Sequence, residues 1–146
     1  MRRAAARPVA LLVALAVAAP ATVAAQQPTA LWCAPSIARS LVRLADACGR
    51  SLPPEARARA DRLDAALRDA VERTRGRAAL DALWPCYEAM AAPFGAEDRD
   101  RACARLDGGD LAPFIPWLSG PEGERAVAET EAAARTTADP MAGGCL

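Results

Sequence analysis

The sequence predicts an all-α fold: a small up-and-down bundle of four to five helices, stapled by disulfides, behind a cleaved signal peptide. Three observations carry that expectation. Apolar residues recur at helical spacing from Cys33 onward, glycines and prolines separate the periodic stretches, and five cysteines (33, 48, 86, 103 and 145) follow an apolar leader.

The leader has a positive start (Arg2, Arg3, Arg7), an apolar run from Val9 to Ala19 and a small-residue exit beyond Pro20. A membrane-spanning helix needs about 20 apolar residues, so this shorter run reads as a secretory signal. Val23 and Ala25 offer small side chains to a signal peptidase, which places cleavage after Ala25 and the mature start at Gln26. Bulky Trp32 stands directly before Cys33, where a lipidation signal would need a small residue. The expected location is the periplasm or the extracellular space, with no stable membrane anchor once the leader is removed. The domain division that follows is a signal peptide at 1–25, a single helical domain at 26–137 and a flexible C-terminal tail at 138–146.

Residues 33 to 48 form the first helix, with Cys33, Ile37, Leu41, Leu44 and Cys48 on one stripe, Pro35 in its first turn and Gly49 as its stop. Pro53 and Pro54 open the second, whose stripe is Ala56, Ala60, Leu63, Leu67, Ala70, Val71 and Thr74. Its other faces carry Arg57 with Asp61, Asp64 with Arg68 and Arg68 with Glu72, each at i, i+4, and read as solvated. Gly76 ends it. A third helix carries Leu80, Leu83, Trp84, Tyr87 and Met90; a proline inside a helix costs about 3 kcal/mol, so Pro85 predicts a kink or a break. Pro93-Phe94-Gly95 closes that helix. Glu97-Asp98 opens a short fourth one with Ala102, Cys103 and Leu106, ending at Gly108-Gly109. After it, Phe114-Ile115-Pro116-Trp117-Leu118 is too proline-rich for a long helix. Ser119-Gly120-Pro121-Glu122 then reads as a helix start, and Glu124 to Thr137 has helical composition; with Val127 as its single large apolar residue, this helix would be held at the surface by alanine contacts and partly frayed.

Cys33 and Cys48, 15 residues apart on one helix, would stand about 22 Å apart, whereas bonded cysteines need Cα atoms within about 7 Å. Cys86 and Cys103 lie symmetrically about a turn near residues 94–95, so a helical hairpin favours their pairing, with Cys145 returning to Cys33 or Cys48. The alternative joins Cys33 to Cys103 and Cys48 to Cys86 and leaves Cys145 free.

The composition narrows the function. The chain contains no His, no Lys and no Asn. That removes the commonest general base, the Schiff-base amine, the usual partners of a serine or cysteine nucleophile and any histidine-based pH switch. No Cys-x-x-Cys pair suggests a redox site, covalent haem or zinc, so no cofactor or metal is expected. Without the three leader arginines the chain is mildly acidic, which is no nucleic-acid signature. Paired carboxylates remain for a hydrolase, with Asp61, Asp64, Glu97, Asp98 and Asp100 as candidates. The primary expectation is a binding or accessory module for another exported protein, with Phe114, Ile115, Trp117 and Leu118 as candidate partner-binding residues and Trp84, Tyr87 and Phe94 as a continuation of the same patch. The same large side chains could instead close one end of an alanine-rich bundle. A third expectation is an envelope structural protein linked through Cys145.

Overall fold

The computed structural model describes residues 30–90 and 98–143, and these form six helices and no strand. They are α1 (Cys33–Ala47), α2 (Pro54–Arg75), α3 (Arg77–Met90), α4 (Arg99–Gly108), α5 (Phe114–Ser119) and α6 (Pro121–Thr136). The helix count exceeds the expected four to five because the Phe114 segment closes into a short helix of its own. The leader, the Pro93-Phe94-Gly95 turn and Cys145 lie outside the described residues. No described helix is long and apolar enough to cross a membrane.

The longest helix, α2, organises the rest: α1, α3, α5 and α6 all pack against it, and α4 packs on α1. Its predicted stripe from Ala56 to Val71 is buried. The N-terminal half of α2 shares a core with Ala38, Leu41, Leu44 and Ala45 of α1, Ala102 and Leu106 of α4, Leu118 of α5 and Val127 of α6. Its C-terminal half, through Leu67 and Val71, shares a second core with Leu80, Trp84 and Tyr87 of α3. Ala66 and Ala70 meet Ala134 in a seam of small side chains that lets α6 lie close along α2.

Several expectations are corrected. In α1 the buried stripe is rotated by about one residue: Ala38 and Ala45 are fully buried, while Ile37 is 43% exposed. Alanines on that side allow close approach to Ala56 and Ala60 of α2, which a branched side chain would prevent. Helix α3 runs through Pro85 without a break. Pro85 and Asp81 are both exposed, so the carbonyl that loses its intrahelical partner is on the solvent side, where water can satisfy it. Between α2 and α3 the chain turns at Gly76 alone, whose φ of +82° is open to glycine and strained for other residues.

The C-terminal segment also differs from a free tail. Pro140 is buried, Met141 packs against the second core, and Arg75 pairs with Asp139 at 2.5 Å. Helix α6 is a main packing partner of α2 rather than a loosely held surface element.

The cysteine pairing is overturned as well. Cys103 is bonded to Cys48, with Cα atoms 5.7 Å apart, and Cys86 is a free, exposed thiol. Hairpin symmetry assumed that α4 returns along α3, but α4 instead lies against the C-terminal half of α1 and brings Cys103 level with Cys48. The alternative pairing through Cys33–Cys103 and Cys48–Cys86 falls for the same reason. Cys33 is disulfide-bonded and 2% exposed, with its partner outside the described residues.

The charges of α2 turn away from their expected i, i+4 partners toward other helices. Arg57 binds Asp46, Asp64 is held by Arg39, Arg68 stacks over the Trp84 ring at 4.4 Å, and Glu72 pairs with Arg77. Arginines also cap helix ends. Arg59 donates to the carbonyls of Leu118 and Gly120, Arg73 to those of Ala134 and Thr137, Arg43 to that of Glu88, and Arg99 to that of Ala47. No helix N-terminus for which a cap residue is identified has a side-chain cap, whereas the C-terminal ends of α1, α3, α5 and α6 each receive a guanidinium. This placement suits both the fork of donors and the negative end of the helix dipole.

These pairs set the response to acid. Arginine neighbours hold the carboxyls of Asp46, Asp107, Asp110 and Glu124 below their ordinary values. A depressed folded-state pKa gives stability that is present above the unfolded value and lost as pH falls through the folded one. With no histidine to titrate, thermal unfolding should be nearly independent of pH between about 5 and 8 and should shift to lower temperature below about pH 4. A melting series across that range checks it.

Candidate functional site

The turn after α4 is closed by the Arg105 guanidinium, which makes two hydrogen bonds of 2.7 Å to Asp110, and by backbone bonds from Leu111 to Arg105 and from Ala112 to Gly109. Pro113 then caps α5, and Pro116 sits in its first turn, where a missing N–H leaves no helical bond unmade. The six residues of α5 are thereby presented between α2 and α6.

The four residues singled out from the sequence divide. Leu118 is fully buried and belongs to the first core. Ile115 and Trp117 are half-buried and pack against that core, and Phe114 is 37% exposed. Phe114 and Trp117 meet edge to face, with ring centroids 6.4 Å apart. Beside Trp117 runs a shallow groove of about 350 Å³ lined by Pro113, Pro116, Trp117, Gly120, Pro121 and Glu122. The prolines were missed as site residues, although Pro113, Pro116 and Trp117 at i, i+3 and i+4 share one helical face. Among the described residues the Trp117 indole N–H has no hydrogen-bond acceptor and Glu122 has no ion-pair partner.

Gly123 fixes the position of this surface. The first turn of α6 is pressed so closely on the end of α5 that a Cβ at Gly123 would meet the Leu118 carbonyl oxygen and lie 2.7 Å from that of Trp117. Gly123→Ala should therefore destabilise by about 1–3 kcal/mol despite the gain in helix propensity. Gly108→Ala, in open space, should be neutral or stabilising. Chemical denaturation of the two variants separates these effects.

Trp84 and Tyr87, expected as a continuation of the aromatic patch, lie elsewhere, and Phe94 is outside the described residues. The two rings meet at a tilt of 40°, with centroids 4.7 Å apart, within the second core. The Tyr87 hydroxyl donates to the Asp64 carboxylate at 3.0 Å, and Arg39 bridges Asp64 to Glu88, binding the latter at 2.8 Å. The Trp84 indole N–H donates to the same Glu88 carboxylate at 3.1 Å. Burial pushes the Tyr87 hydroxyl up to about 12. This cluster ties α1, α2 and α3 together.

Of the other candidate acids, Asp61 and Asp100 are exposed, Asp98 pairs with Arg101 at 2.9 Å, and Glu97 is outside the described residues. A larger groove of about 620 Å³ between the start of α1, α6 and the C-terminal segment is lined mainly by alanines, and Asp139, which also lines it, is engaged by Arg75. No group of three or more His, Cys, Asp or Glu suited to a metal ion occurs among the described residues. Comparison with protein-family models, curated protein sequences and solved structures finds no match to this chain.

Proposed function

We propose that this chain is an exported helical protein that acts by binding another protein, through the surface formed by Phe114, Trp117 and the prolines around them. The observation that carries the reading is the outward face of α5. Phe114 and three prolines are exposed around a half-buried tryptophan, on a segment anchored by Leu118 in the core and by Arg59 on the Leu118 and Gly120 carbonyls. Aromatic side chains held rigidly on such a support are the usual anchors of protein interfaces. Export rests on the leader sequence and on the two cysteines joined between α1 and α4, a bond suited to an oxidising compartment.

The alternative of a carboxylate hydrolase needs a carboxylic acid shielded from arginine and facing a cleft. Asp64, the buried acid among the described residues, is instead held by Arg39 and Tyr87 between three helices. A structural link through a free thiol would use Cys86, which is exposed.

The test is chemical cross-linking of tagged mature protein in the cells that export it. Wild type should yield a discrete heterologous adduct, and Trp117→Ala should lose most of it while keeping the melting temperature within a few degrees. An adduct unchanged by Trp117→Ala would contradict the assignment of the surface.

A further inference from the structure

We infer that the groove beside Trp117 takes an extended, proline-containing segment of the partner that carries an arginine or lysine next to its prolines. This inference rests on the binding surface proposed above and names the chemistry of what it holds. The lining is mostly rigid rings, those of Pro113, Pro116, Pro121 and Trp117. An extended polyproline II segment presents flat pyrrolidine rings, has little conformational entropy to lose and docks in aromatic-lined grooves. Its backbone carbonyls make no internal hydrogen bonds. Trp117 has the complementary group, an indole N–H without an acceptor among the described residues.

The charge selects the flanking residue. Glu122 is the one charged side chain lining the groove and has no ion-pair partner among the described residues, whereas nearby Glu124 is engaged by Arg59 and Arg62 and Asp110 by Arg105. A cation beside the docked prolines would pair with Glu122, and an anion there would be repelled. The other modes of peptide recognition fit less well: with no strand among the described residues there is no sheet edge to extend.

The test is NMR titration of the mature protein, following the indole N–H resonances of Trp32, Trp84 and Trp117, with the Trp117 signal assigned from Trp117→Phe. Three synthetic nine-residue peptides serve as probes: one with a Pro-Pro-Ala-Pro core and a neighbouring arginine, one with glutamate in place of the arginine, and one with the prolines changed to alanine. The arginine peptide should shift the Trp117 signal saturably and leave Trp84 unmoved. The glutamate peptide should bind about threefold more weakly, in line with an exposed ion pair, and Glu122→Gln should abolish that preference. The alanine peptide should not shift the signal.

Equal responses to the proline and alanine peptides would overturn the inference, as would a Trp117 shift produced by anionic phospholipid vesicles and by none of the peptides. If no peptide binds but the Trp117-dependent cross-link persists, this inference fails and the binding role stands. If the cross-link is absent too, both fail.

Discussion

A protein carrying Cys48→Ser and Cys103→Ser together should be about 4 kcal/mol less stable than the wild type. The bond closes a loop of 55 residues, and the entropy that such a loop restores to the unfolded chain corresponds to about that figure. Little else holds α4. It buries only Ala102 and Leu106 and meets the end of α1 through Arg50–Asp107, at 2.8 Å, and through Arg99 on the Ala47 carbonyl. Backbone amides of α4 should therefore exchange with solvent far faster in the variant, while those of α2 exchange only as global stability dictates. Guanidinium denaturation with hydrogen exchange reads both effects. Changing both cysteines leaves no new thiol to exchange with Cys86.

The second large effect is at Asp64. Replacing it with alanine leaves the Arg39 guanidinium and the Tyr87 hydroxyl without their shared acceptor between α1, α2 and α3. Removing one partner of a buried ion pair costs about 3–5 kcal/mol, and since Arg39 keeps Glu88 the lower end is expected. Tyr87→Phe should cost about 1 kcal/mol, the worth of one hydrogen bond. Changing Arg39 and Asp64 together to Met and Leu should recover part of the loss, because the guanidinium is removed with its acceptor while the Tyr87 hydroxyl stays unpaired. Denaturation of Arg39→Met, Asp64→Leu and the double variant measures the coupling directly. Additive losses would show that the cluster does not act as a unit.

What could be read from the sequence follows the range of the physics involved. The stripe of α2 was legible because Ala56, Ala60, Leu63, Leu67 and Ala70 recur at intervals of three or four, and tertiary packing kept that face inward. In α1 the same rule picked out Ile37, but the rule ranks positions by hydrophobicity, whereas the fit against α2 is set by closeness of approach and selects Ala38 and Ala45. The disulfide was misread because Ala102 and Leu106 define which side of α4 is buried without saying which helix covers it. Arginine side chains span several ångströms, so the nearest acid along the helix was a poor guide to the partner: Arg57 reaches Asp46 and Arg62 reaches Glu124 and Glu131. In the candidate site, composition alone grouped Phe114 with Leu118. Only the packing of α5 against α2 and α6 separates a core residue from an exposed one.

The central claim is that the outer face of α5 is where this protein meets a partner. It is tested most directly by placing a photo-cross-linking amino acid at position 114 and, in a second protein, at position 78 on the exposed face of α3. After irradiation in the exporting cells, position 114 should give a discrete adduct that is lost with Trp117→Ala, and position 78 should give none. No adduct at 114, or an equal one at 78, would contradict the claim.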